Sequence, residues 1–153
     1  MEISEQYEKI AEYIYNNPAA VLGTIADDGG PHGAVVYVCP DDTRPIVYFL
    51  TKDETTKFNN LHARDKVSLT IVNEMQNSTL QATGKAAVVH DAHALDMMTK
   101  KMFHIGPSGR TWAPPISKIN AGKYKLIGIT LDHARLSVFG DDPAGHEPVV
   151  TEL

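Results

Sequence analysis

Cysteine is almost absent from this 153-residue chain. Cys39 stands alone, so no internal disulfide can form, and a reducing compartment suits it. Long apolar runs are also missing. None approaches the roughly 20 residues a helix needs to cross a bilayer, so no membrane partner is expected. The start, Met1-Glu2-Ile3-Ser4-Glu5, has neither the basic residues nor the apolar stretch of a secretion signal. A cytoplasmic location is the expectation. Clustered positive charge is lacking too: the formal net charge is -5, and the 14 Lys and Arg residues are scattered. Displacing the counterions of a duplex needs grouped cations, so nucleic acid is not an expected partner. Internal repeats, low-complexity tracts and linkers do not occur. Residues 1–153 therefore read as a single domain with one continuous core.

What is present is mostly β pattern. Ile3, Tyr7, Ile10, Ala11 and Ile14 recur at helical spacing after Ser4, a suitable N-cap, and Asn17-Pro18 ends this helix (1–17). Residues 21–26 and 34–38 are β-rich runs joined by Asp27-Asp28-Gly29-Gly30, a hairpin signal. A turn over 40–45 leads to a third run, Ile46 to Thr51. The pattern predicts a short helix over 55–64, with Asp53 and Glu54 at its positive end. Val67, Leu69 and Ile71 then alternate with polar residues as a half-buried strand. A long strand over 80–89 is interrupted by Gly84, the mark of a bulge or barrel corner. Leu95, Met98 and Met102 suggest a third helix, 104–122 a long loop, and 124–131 and 135–139 two further strands. A polar tail (140–153) follows. The strand–helix–strand unit over 46–72 can be read as βαβ, but one such unit among hairpins does not make a doubly wound sheet. The expected fold class is α+β: a mostly antiparallel, six-stranded Greek-key split barrel with about three flanking helices.

Chemistry-bearing side chains are few. The strand ending at Thr51 is followed by a helix start carrying Thr55, Thr56 and Lys57. A helix amino terminus offers unpaired N–H groups and partial positive charge, to which two hydroxyls and an ammonium would add a phosphate site. The plainer alternative is that the threonines cap the helix and Lys57 is solvated. Asp53 and Glu54 oppose an anion there unless they point away. His90, Asp91 and His93 lie close in sequence but lack metal-ligand spacing and read as surface residues. Gly106-Pro107-Ser108-Gly109-Arg110 lacks phosphate-loop spacing, and no Gly-x-Ser-x-Gly elbow occurs. Cys39 beside Pro40 reads as inert. An enzyme of this composition would take its reactive group from a bound cofactor.

In order and spacing, several segments resemble the pyridoxamine 5'-phosphate oxidase-like FMN-binding proteins. These are Gly30-Pro31-His32-Gly33-Ala34-Val35-Val36-Tyr37, Val47 to Thr51, Thr55-Thr56-Lys57, Asn60-Leu61, Lys66-Val67-Ser68-Leu69 and Leu80 to Ala86. The resemblance implies a split barrel that dimerises, with FMN sites shared across the interface. By that resemblance Ala34, Val35, Val36 and Tyr37 would pass their backbone against the flavin ring. Thr51 would bond the flavin with Leu50 as its neighbour in the cofactor site, and Thr55, Thr56 and Lys57 would hold the phosphate. Gln81 would reach the cofactor from the next strand or from the other subunit. Two family cations are missing, one near Ala34 and one where Thr56 stands, which leaves a weaker phosphate clamp. The vitamin-B6 oxidases' closing Arg-Leu-His-Asp-Arg motif is also absent, so their reaction is not expected. The reading is an FMN-dependent oxidoreductase acting on an unidentified small molecule. Its alternatives are a flavin- or haem-binding carrier or sensor without turnover, and a reductase using deazaflavin; FAD is a further cofactor option.

Overall fold

The computed structural model describes residues 4–102, 124–140 and 147–153. The expected loop at 104–122 and the tail residues 141–146 lie outside them. Helix α1 (Glu5–Asn16) starts where its cap dictates: the Ser4 hydroxyl accepts the Tyr7 N–H at 3.1 Å. Strands β1 (Ala19–Ile25) and β2 (Pro31–Pro40) follow as a hairpin. Its turn needs Gly29, at φ 83°, and the Asp28 carboxylate accepts the Gly30 N–H at 2.8 Å. Next come β3 (Ile46–Lys52), α2 (Thr56–Ala63), β4 (Lys66–Asn73), β5 (Ser78–Val89), α3 (Ala92–Met102), β6 (Tyr124–Val138) and β7 (Val149–Glu152).

The strand order is β3-β2-β1-β4-β5-β6-β7, every pair is antiparallel, and β3 also pairs with β6. Six strands thus close a barrel and β7 lies outside it, in agreement with the α+β split barrel. Strands β3 and β4 are separated by β2 and β1, so 46–72 is not a βαβ unit. Leu22, Val38, Phe49, Leu69, Leu80 and Ile127, one from each barrel strand, are almost fully buried. Ile10 and Ile14 of α1 and Leu61 of α2 join the same core. This one-face burial is what the period-2 alternation encodes.

Two segments differ from the sequence reading. Residues 124–131 and 135–139 belong to one continuous strand, because a bulge absorbs the break between them. Thr83 pairs with His133 and Gly84 with Leu131, leaving Asp132 as the extra residue. A side chain at Gly84 would collide with the Thr130 carbonyl, which is why glycine stands at this corner. The tail also contains a strand. β7 pairs with Arg135–Val138, the stretch of β6 beyond the reach of β3. Unpaired strand edges favour such a cover.

Candidate functional site

The barrel is open beside β2. This strand pairs with β1 from Pro31 to Tyr37, but with β3 only through Val38, Cys39 and Pro40. Among the described residues, 31–36 therefore have a paired strand on one side only. Ala34 and Val36 face inward, whereas Val35 faces out and is 72 % exposed. Tyr37 is half-buried on the outer side.

Helix α2 packs against β1, β2 and β5. Its N-cap is Thr55, whose hydroxyl accepts the Phe58 N–H at 3.3 Å and donates to the Lys52 carbonyl at 3.0 Å. The buried Thr51 hydroxyl lies 3.1 Å from that of Thr55. Thr51 and Thr55 are thus brought together, as the plainer capping alternative also requires. Thr56 is exposed on the first turn and Leu50 is half-buried in β3.

Lys57 is not a solvated surface lysine. Lys57, Asn60 and Arg64 share one face of α2 by their spacing. Asn60 donates to the buried Thr24 hydroxyl at 3.1 Å, and Arg64 pairs with Asp27 at 3.2 Å, so this face lies on the β1–β2 hairpin. Burial pushes the Lys57 ammonium below the ordinary lysine range. No described carboxylate forms an ion pair with it.

Buried side-chain polar atoms normally have partners. Among the described residues three have none: His32 Nδ1, Asp53 Oδ1 and the Tyr124 hydroxyl. All belong to segments around α2. His32 stands opposite Thr24, the partner of Asn60. Asp53 lies two residues before the Thr55 cap, and Tyr124 is opposite Lys52. A half-buried cation on the first turn of a helix, with no described carboxylate paired to it, fits an anionic ligand such as a phosphate.

Gln81 is not part of this corner within one chain. It is exposed on β5, opposite Thr70 and Arg135, whereas Thr51 is opposite Lys125. Ten residues along β6 separate the two positions by roughly 30 Å. His90, Asp91 and His93 are exposed, and the Asp91 carboxylate accepts the His93 N–H at 2.9 Å. Sequence reasoning assigned no role to His32 or Tyr124. His32 lay inside a quoted segment, but the position of Tyr124 beside Lys52 depends on a long-range register that no local pattern reveals.

An antiparallel barrel split beside β2, with a helix start at the opening, defines a split-barrel architecture. The sequence profile of the pyridoxamine 5'-phosphate oxidase family matches residues 7–136, and the chain belongs to that family. No curated protein sequence matches it. Among solved structures it is similar to general stress protein 26 from Bacillus anthracis, at 18 % identity and TM-score 0.67, covering 90 % of this chain and 97 % of that one. It is also similar to a pyridoxamine 5'-phosphate oxidase-related, FMN-binding protein from Nostoc punctiforme. That match has 11 % identity and TM-score 0.67, and covers 98 % and 91 % of the two chains. A protein named F420 reductase is similar at 19 % identity and TM-score 0.61, over 86 % and 98 %. At such identities these likenesses concern the fold.

Proposed function

We propose that this protein binds FMN at the β3–α2 corner and is a flavin-dependent oxidoreductase acting on a small molecule. The observation that carries the reading is Lys57: a half-buried, desolvated cation on the first turn of a helix, with no described acid paired to it. A phosphate supplies the missing charge, and the helix terminus adds N–H donors. The exposed edge of residues 31–36 gives a flat flavin ring a backbone to lie against. Flavin, when bound, supplies hydride and electron transfer. The chain's own residues anchor the phosphate, orient the ring and shield it from water. The single cysteine, fully buried, agrees with a cytoplasmic setting. Among the described residues no helix is long and apolar enough to cross a membrane.

The likeness to an F420 reductase makes a deazaflavin the second reading. The visible spectrum of the purified, cofactor-loaded protein separates the possibilities. Flavin bands are expected; deazaflavin absorption or a haem Soret band would replace FMN.

The second element of the proposal is a homodimer. Val21, Val35 and Val72 lie on the outer face of β1, β2 and β4 and are 47 %, 72 % and 64 % exposed. Gly33, Gly23, Ser68, Thr70 and, on β5, Gln81 continue the same face, which the exposed Lys66 and Lys85 border at one end. Covering such a face with a second copy is the simplest symmetric solution, and it would carry Gln81 to the partner's cofactor. Light scattering at micromolar concentration is expected to give a dimer. A flavin-loaded monomer would contradict the shared site.

Pyridoxine 5'-phosphate is not an expected substrate. It carries a second phosphate, and the chain beyond Gly140 offers Asp141, Asp142 and Glu147 rather than a row of cations. Repeated turnover to pyridoxal 5'-phosphate in oxygen would contradict this.

A further inference from the structure

The outer face of β4 and β5 carries a pairing that a strand ladder ordinarily avoids. Lys66 stands directly opposite Lys85, and both are exposed. Directly opposed residues hold their Cβ atoms about 5 Å apart, so two like charges there repel and cost stability. No described carboxylate forms an ion pair with either lysine. The next outward pair is Ser68 and Thr83, two hydroxyls. Ser68 leans over Gly23 of β1, where any side chain would collide with its hydroxyl. Thr83 donates at 2.6 Å to Asp132, the residue that the bulge inserts into β6. That bond ties the carboxylate to Thr83 and not to a lysine. Lys66, Ser68, Gly23, Thr83 and Asp132 line one open groove of about 520 Å³. Small-molecule sites span roughly 300–1,000 Å³. Three features that each weaken a sheet thus meet at one groove: a like-charge pair, a bare glycine and a bulge.

We propose that this groove is a second anion site, in which Lys66 and Lys85 neutralise an oxyanion of a small molecule, a phosphate or a carboxylate, and the Ser68 hydroxyl donates to it. The anion supplies the charge that the lysine pair lacks and cancels its repulsion. The site is separate from the Lys57 corner. Asn60 of α2 bonds Thr24 on the buried face of β1, whereas Gly23 and Ser68 face outward. The inference therefore stands whether or not FMN is the ligand of that corner. Gly23 and Ser68 belong to the face proposed for the second copy, with the lysines at its border, so in a dimer the groove lies at the edge of the interface.

The test is a titration of the isotope-labelled full chain, followed by backbone amide shifts in NMR. Sodium phosphate and sodium succinate are the probes, each balanced with sodium chloride at constant ionic strength. Saturable shifts are expected at residues 66–68 and 83–85, and the tighter probe tells whether phosphate or carboxylate is the preferred group. Lys66→Gln and Lys85→Gln should each weaken that binding about two- to fivefold, the scale of one exposed ion pair, and the double variant about tenfold. Lys57→Ala should leave these shifts as they are. Thermal melting adds an independent readout. Lys85→Gln relieves the like-charge pair, so at low salt it should melt no lower than wild type, and it should gain less from added phosphate. Shifts that grow linearly, or equally with chloride, would mean an adventitious ion only and overturn the proposal. Saturable binding undiminished in the double variant would also overturn it. So would shifts confined to residues 55–58, which would leave the Lys57 corner as the anion site and remove this one.

Discussion

Strand β3 carries a polar cluster near each end, and the two are built in opposite ways. Before its start, the buried Asp41 carboxylate accepts from the Thr43 N–H at 2.9 Å, the Arg44 N–H at 2.9 Å and the Tyr48 hydroxyl at 2.8 Å. The Thr43 hydroxyl and the Arg44 guanidinium add further contacts. Tyr7 of α1 closes the cluster by donating to the Asp41 carbonyl at 2.7 Å. After the end of β3, Lys57 has no ion pair with a described carboxylate, and among the described residues Asp53 and Tyr124 keep buried atoms without partners. A buried polar cluster that satisfies itself ties elements together. One that does not satisfy itself costs stability and is explained by something that binds. The first cluster locks α1 to the β2–β3 turn; the second is the candidate site.

Breaking the satisfied end should have the largest effect on stability. Asp41→Ala strands several donors and should cost about 3 kcal/mol, a fall in Tm of roughly 6–12 °C, with little change in flavin affinity. Tyr48→Phe removes one donor and should cost about 1–2 kcal/mol in a denaturant titration. Burial pushes the Tyr48 phenol up to about 12, and its hydrogen bond to Asp41 adds to the shift.

The same cluster fixes an acid limb. Burial alone would raise the Asp41 carboxyl, but hydrogen bonds from Thr43, Tyr48 and Arg44 outweigh it and hold the group below the ordinary carboxylate range. Its contribution is therefore complete above about pH 4, the unfolded value, and is lost as pH falls through the lowered folded value. Asp41→Asn should lose less stability than wild type between pH 4 and pH 2; parallel curves would show that the cluster does not titrate.

The smallest stability effect belongs to the unsatisfied end. Lys57→Ala should change the cofactor-free protein by no more than about 0.5 kcal/mol, since no described ion pair is broken. A loss comparable to that of Asp41→Ala would erase the contrast between the two ends.

Much of the fold was legible because it rests on local signals. The Asp27-Asp28-Gly29-Gly30 turn, the alternation in β4, the Ser4 cap and the break at Gly84 each have a physical cause within a few residues. What escaped depends on distant partners. The joining of 124–131 to 135–139 relies on a bulge opposite Thr83, and β7 is a four-residue strand that exists only because an edge of β6 lies beside it. The helix start at Thr55 to Lys57 could be read as an anion site, but its sequence was equally compatible with simple capping. The threonine bonds agree with capping, and only the burial of Lys57 favours the site. Asp53 could only be read as an argument against an anion; its unpartnered oxygen is a fact of packing.

The most direct test of the phosphate corner is the ratio of FMN affinity to riboflavin affinity, measured by fluorescence titration for the wild type and for Lys57→Ala. The two ligands differ only in the phosphate, so effects on the ring cancel. The account predicts that the wild type favours FMN and that Lys57→Ala loses about ten- to a hundredfold of FMN affinity while binding riboflavin almost as before. Equal losses for both ligands, or a wild type that does not distinguish them, would contradict it.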